Sequence, residues 1–186
     1  MLPGPFQHPV RIQPEDFRIR RFSESRAVED FDCGNQDLNE FIRAGEVSRY
    51  EGEGLGRTYL VHYRGDLAAY FTVCADGLRR EYVRTATFSS QFADMRLDAL
   101  PALKIGRLAV DKKYQNLGLG RFILKYIAGM ALEMAGRVGV RLLILQAKPE
   151  SLPFYAKFGF GLTYETSRER GRRNRTMFMD LFAVPD

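Results

Sequence analysis

Gln115, Gly118 and Gly120 fall in the stretch Gln115-Asn116-Leu117-Gly118-Leu119-Gly120-Arg121, between an apolar run and a helix-like run. Strand, glycine-bearing turn and helix, in that order, suit an anion. The first turn of a helix leaves backbone N–H groups without internal partners. The helix dipole places about +0.5 of a charge at that end. Glycines take away the side chains that would hold an anion off, and Arg121 adds a mobile cation. The stretch lacks the Gly-Lys-Ser/Thr ending of a Walker loop and does not match the Gly-x-Gly-x-x-Gly dinucleotide fingerprint. From these residues alone, a pyrophosphate cradle and a plain structural turn both stay open.

A second compact stretch, Phe154-Tyr155-Ala156-Lys157-Phe158-Gly159-Phe160, holds a phenol. With a reference pKa of about 10, a tyrosine is protonated at neutral pH and can donate that proton. Packing of the ring against a sheet is its other use; Phe154 and Phe158 read as core. No histidine lies near either stretch. His62 falls in a strand-like run, and Asp76, Glu81 and Glu150 read as surface carboxylates within reach of a cleft. A missing base points weakly to an α-amine. Its reference pKa of about 7.7–8.0, against about 10.4 for lysine, leaves more of it neutral.

These residues need a scaffold to bring them together. Residues 17–22, 57–63, 67–75, 102–110, 140–147 and 176–182 read as strands, and Arg64-Gly65-Asp66 as a hairpin turn between two of them. A short helix over 23–30, capped by Ser23, is predicted. Leu38, Phe41 and Ile42 recur at helical spacing, in a helix expected to run toward Arg49. Residues 121–137 form a helix with one broad apolar face, closed by Gly139. Residues 151–158 form a short helix with Pro153 in its first turn and Gly159 at its end. Residues 77–100 carry no clear pattern. Interleaved strands and helices predict an α/β or α+β sheet domain.

The chain has 186 residues, of which 45% are hydrophobic and 27% charged, a balance suited to one domain with a real core. Residues 1–16 read as an N-terminal extension and 17–186 as the domain. The apolar stretch of an export signal is absent, and the longest apolar run, 67–75, is too short to span a bilayer. Cys33 and Cys74 are expected as reduced thiols, in a cytoplasmic protein that does not act at a membrane. With only two histidines, His8 and His62, and no Cys-x-x-Cys, no metal site is predicted. The net charge is +5. Residues 167–176, SRERGRRNRT, hold five arginines among ten. Arginine's planar fork suits phosphate, while a solvated charged loop is the plainer reading.

The run Leu108-Ala109-Val110-Asp111-Lys112-Lys113-Tyr114 that leads into Gln115-x-x-Gly118-x-Gly120 resembles the acetyl-CoA motif of the GNAT N-acetyltransferases. Ala147-Lys148-Pro149-Glu150-Ser151-Leu152 followed by Phe-Tyr-x-x-Phe-Gly-Phe resembles that family's penultimate helix and the turn after it. The resemblance implies a mixed, mostly antiparallel sheet of six or seven strands, splayed open between the strand ending near Val110 and the strand 140–147. It implies acetyl-CoA in that gap. Leu108, Ala109 and Val110 would face the pantetheine, the backbone of Gln115, Asn116, Leu117, Gly118, Leu119 and Gly120 with Arg121 would hold the pyrophosphate, and Tyr155 would be the proton donor.

Phe31-Asp32-Cys33-Gly34-Asn35-Gln36-Asp37-Leu38-Asn39-Glu40-Phe41-Ile42 and Thr58-Tyr59-Leu60-Val61 are similar to a GNAT branch that includes the tRNA-acetylating toxins of toxin–antitoxin modules. Lys104-Ile105-Gly106-Arg107-Leu108-Ala109-Val110-Asp111 fits the same branch. Three expectations follow: an acetyltransferase for an unspecified primary amine; a toxin acting on the α-amine of charged tRNA, with an antitoxin protein as partner; or an inactive CoA-binding module. Arg79, Arg80 and Arg84, with the arginine run, are expected on the acceptor rim. The family habit predicts a homodimer, to which the segment 176–184 could contribute.

Overall fold

The computed structural model describes residues 16–23, 28, 30–83, 92, 94–164 and 173–183. Its strands are β1 (Phe17–Arg21), β2 (Arg57–Tyr63), β3 (Asp66–Arg79), β4 (Ala99–Val110), β5 (Leu142–Ala147), β6 (Gly161–Leu162) and β7 (Arg175–Asp180). They form one seven-stranded sheet in the order β1-β2-β3-β4-β5-β7-β6. Every pairing is antiparallel except that of β4 with β5. The β2–β3 hairpin turns through Arg64 at φ 51° and Gly65 at φ 103°. Positive φ at both central residues lets such a turn follow the right-handed twist of its strands.

The helices are α1 (Gln36–Arg43), α2 (Glu46–Gly52), α3 (Leu119–Val138) and α4 (Leu152–Ala156). The expected single helix toward Arg49 is broken. Gly45 takes φ 76° between α1 and α2, and the chain restarts there. The helix expected over 23–30 rests on residues 24–27 and 29, outside the described residues. Residues 77–79, unassigned from sequence, extend β3, with Gly77 opposite Pro101 and Leu78 opposite Leu100.

The sheet buries both faces. On one, Ile123, Leu124, Ile127 and Ala131 of α3 pack on Val61, Phe71, Val73, Leu103 and Leu145. The fully buried Ile and Leu side chains contribute about 1.5–3 kcal/mol each relative to exposure. On the other, Phe41, Ile42 and Val47 of α1 and α2 cover Leu60, Tyr70 and Ala109. The Tyr70 hydroxyl donates to the Leu38 carbonyl at 2.6 Å and pins α1 to β3. Strand β7 lies between β5 and β6, and β6 covers its outer edge only at Met177 and Phe178.

The sheet opens where the sequence resemblance placed the opening. The β4–β5 ladder runs only from Ala102 opposite Leu142 to Ile105 opposite Leu145. Beyond it, β4 follows β3 alone as far as Val110 opposite Ala69. The register shifts between Thr72 and Val73, whose partners are Arg107 and Ile105, so Gly106 is the extra residue of a bulge. A bulge bends its strand and strengthens the local twist, and it sits where β4 leaves β5.

Candidate functional site

Parting β4 from β5 leaves the β5-facing edge of residues 106–110 with no strand beside it, while β3 pairs the other edge. Two adjoining cavities fill the opening. One, of about 580 Å³, runs along the loop after β4 and takes in Asn116, Gly118, Leu119, Gly120, Arg121 and Phe154. The other, of about 370 Å³, is lined by Gly106, Arg107, Ala109, Gln146, Lys148 and the start of α1. Leu108, Val110, Gln115 and Tyr155 line both. The sequence-predicted residues thus share one groove, except Leu117, which is 38% exposed and lines neither cavity.

The loop's residue types follow from its shape. Asn116 adopts φ 61° and Gly118 φ 87°. Asparagine and glycine are the residues that enter the left-handed region most readily. Gly118 is the N-cap of α3, and no side chain caps that end. Phe122 N–H is bonded to the Gly118 carbonyl; the N–H groups of Leu119, Gly120 and Arg121 belong to the uncapped first turn. Gly120 has a different reason to be bare. A Cβ there would come within 3.1 Å of Phe154 Cζ. Phe154 is therefore not core, as the sequence led us to expect, but 39% exposed and a wall of the larger cavity. Phe158 does pack on the main core.

Gln115 braces the groove. Its Nε2 donates to the Val110 carbonyl at 2.9 Å and to the Cys33 carbonyl at 3.0 Å. A second brace was not legible from sequence. Asp111, 4% exposed, accepts from the Asp32 N–H at 2.9 Å and the Lys113 N–H at 2.9 Å. Asp32 in turn accepts from Lys112 Nζ at 2.7 Å, Gly34 N–H at 2.8 Å and Asn39 Nδ2 at 2.8 Å. These bonds, the Lys112 one foremost, hold the Asp32 carboxyl well below the usual carboxylate range. The Phe31-to-Ile42 segment is thereby fastened to the cofactor-side loop, while Cys33, Asn35, Asp37 and Leu38 wall the smaller cavity. Both aspartates sit in stretches that carry the family resemblance, but no spacing rule connects residues 79 apart.

Tyr155 comes from α4, against Phe154 at 5.0 Å and Phe160 at 5.8 Å between ring centres. Burial pushes its phenol up to about 12. It holds its proton across the neutral range and is in a state to donate it, not to act as a base.

A third cavity, of about 240 Å³, adjoins the opening through Leu145 and Gln146. Asp76 and Lys104 line it and form an ion pair at 3.1 Å. Glu81 pairs with Arg79 at 3.3 Å in an exposed position, and Glu150 lines both larger cavities. His62 sits on β2 opposite Arg18, away from the opening; burial, then Arg20, lowers its pKa. Of the expected rim arginines, Arg80 donates to the Phe92 and Met95 carbonyls at 2.8 Å each, a bracing role. Arg84 and residues 168–172 lie outside the described residues. Asn174 reaches the smaller cavity.

The groove fits coenzyme A on its own geometry: an uncapped helix start with Arg121 for a diphosphate, and an unpaired strand edge for amides. Known proteins agree. A family model for the acetyltransferase (GNAT) domain matches residues 67–161. A tRNA-acetylating toxin of Mycobacterium tuberculosis is 28% identical over 152 residues, 77% of this chain and 84% of the toxin. The solved structure of AtaT complexed with acetyl-methionyl-tRNAfMet aligns with a TM-score of 0.76 at 20% identity, covering 89% of this chain and 95% of that one. A mutant AtaT toxin bound to the C-terminus of the antitoxin AtaR and acetyl-CoA aligns with a TM-score of 0.70 at 20% identity, covering 89% and 94%. No helix among the described residues is long and apolar enough to cross a membrane. With the domain matched across half its length and the sheet opened at the bulge of β4, the chain belongs to the GNAT family and is an acetyl-CoA-dependent acetyltransferase.

Proposed function

We propose that the protein acetylates the α-amino group of an aminoacyl-tRNA, as a toxin-type member of the family. The observation that carries this narrower reading is the likeness to a tRNA-acetylating toxin over 152 residues, which runs beyond the domain matched at 67–161. The chemistry of the opening supports it. Of the carboxylates at and beside the opening, Asp76 is engaged by Lys104 and Asp37 and Glu150 are exposed to water; among the described residues no histidine lines these cavities. An α-amine, often neutral without help, suits such a site better than a lysine side chain.

In this reading acetyl-CoA supplies the acetyl thioester. The backbone of Leu108, Ala109 and Val110 orients the pantetheine, and the first turn of α3 with Arg121 holds the diphosphate. As the amine forms its bond to the acetyl carbon and the carbon–sulfur bond breaks, Tyr155 gives its proton to the departing thiolate. The amine's surplus proton leaves to water, and Tyr155 regains its proton from water before the next turnover. An antitoxin protein that restrains the enzyme belongs to the same proposal.

Purified enzyme, acetyl-CoA and bulk charged tRNA test it, with acetylated aminoacyl-tRNA read by mass spectrometry and growth followed on expression. Acetylated charged tRNA and growth arrest are expected. Turnover confined to polyamines, free amino acids or peptides would return the wider primary-amine reading. Turnover with no acceptor would leave only a CoA-binding module.

A further inference from the structure

Arg107 is held in a way that no step above requires. Its guanidinium carbon lies 3.7 Å from the centre of the Phe41 ring and 4.9 Å from that of Tyr50. Its ion pair with Glu46 is long, at 3.6 Å, and the side chain is only 23% exposed. Among the described residues none accepts a hydrogen bond from it. A rigid fork of five N–H donors is thus drawn partly out of water, stacked on aromatic faces and tied otherwise by the long Glu46 pair. Stacking holds the fork in place, and its donors keep capacity that a distant carboxylate leaves open to a ligand.

The position is equally specific. Arg107 follows the Gly106 bulge, so it stands where β4 parts from β5, and it lines the smaller cavity. Its side chain joins α1 and α2, on the face opposite α3. One strand therefore offers its open edge to the thioester and a guanidinium to whatever approaches from the other face. Asp37, Glu150 and Lys148 also line this cavity; both carboxylates are exposed. The desolvated charge is Arg107, and its planar fork matches an anion with two oxygens, a carboxylate or a phosphate.

We propose that Arg107 reads the phosphodiester on the 5′ side of the acceptor's terminal nucleoside. The proposal rests on the aminoacyl-tRNA reading. There the carboxyl beside the amine is esterified and carries no charge, so the nearest anion is that phosphodiester. Binding it places the terminal ribose, and with it the aminoacyl ester, at the mouth of the opening.

The test compares two minimal acceptors. One is an aminoacyl-adenosine; the other is the same aminoacyl ester on cytidylyl-adenosine, which adds one nucleoside and the phosphodiester. For wild type, kcat/KM is expected to favour the dinucleotide by about ten- to a hundredfold, the range of a charge-assisted hydrogen bond. In Arg107→Gln that ratio falls to within about threefold of unity, whatever the absolute rates. Because the ratio is taken within one protein, poor folding lowers both rates and leaves it alone. Arg107→Lys keeps a cation on the rings without the fork, and carries the comparison if the glutamine variant fails to fold; its ratio falls between the two. An unchanged ratio in the variants overturns the proposal, as does a wild type that uses both esters equally. Arg107-dependent acetylation of a free amino acid would make it a carboxylate reader and overturn the proposal as well. A wild type inactive on every aminoacyl ester overturns the function reading itself, and this proposal with it.

Discussion

Burial keeps the Tyr155 phenol protonated up to about 12, so its role as donor is available at any pH at which the protein works. Turnover on an α-amine should therefore rise with pH through the amine's own range, about 7.7–8.0 in reference peptides, and stay level up to pH of about 10. An alkaline limb near pH 9 in initial rates would mean that another group gives the proton. Tyr155→Phe should lower kcat by about 10²–10⁴-fold and leave acetyl-CoA affinity, read by calorimetry, nearly as it was. Unchanged turnover would remove Tyr155 from the chemistry. Asp32 makes the opposite kind of prediction. Its carboxyl titrates below the usual range in the folded state. The stability it contributes is present above the unfolded pKa of about 3.9 and is lost as pH falls through the folded value. Asp32→Asn should lower Tm at pH 7, and its gap from wild type should narrow below pH 4. A gap that is the same at pH 3 and pH 7 would show that its charge is not what fastens the segment.

Among the elements, two glycines offer a controlled comparison. Gly118 at φ 87° starts α3 and Gly139 at φ 74° ends it, each with open space where a Cβ would stand. Alanine at either position should cost about 1–2 kcal/mol of backbone strain. Only Gly118→Ala should also weaken acetyl-CoA binding, because only that end shapes the groove; equal loss of affinity in both variants would detach the loop from the cofactor. What sequence could foretell at this scale tracks how local the cause is. Gly139 ends α3 in a conformation that glycine adopts readily, so that end was legible; α4 stops at Ala156 with Lys157 as its C-cap, short of the Gly159 expected to end it. The break at Gly45 was not legible, because Val47, 1% exposed, keeps an apolar periodicity running through it. Strand β6 has two residues, too few to show a period. Phe154 read as core because its neighbours Tyr155 and Phe158 are packed there. Its true seat on Gly120 depends on a contact between distant parts of the chain. Arg107 and the Asp32–Asp111 brace were hidden for the same reason: each gains its meaning only when α1 is folded onto β4.

For the whole molecule, the splayed sheet separates two tasks by face. The loop proposed for the diphosphate belongs to α3 and Tyr155 to α4, while Arg107 lies with α1 and α2. A macromolecular acceptor can then approach without crossing the cofactor. The +5 charge of the chain helps any polyanion toward that approach, and the arginine run of 167–176 ends beside it, with Arg173 exposed and Asn174 on the cavity wall. If backbone phosphates of tRNA are held there, affinity must fall with salt as counterions re-bind, by close to one unit of log–log slope per phosphate contact. Binding of charged tRNA should therefore weaken steeply between 50 and 200 mM salt, a contrast that an aminoacyl-dinucleotide, with its single phosphodiester, should largely lose. Reversing Arg172 and Arg173 to glutamate should weaken tRNA binding and flatten its slope by about two, while leaving turnover on the dinucleotide ester close to wild type. An unaltered slope in that variant would make the run a solvated loop and return tRNA recognition to the groove alone.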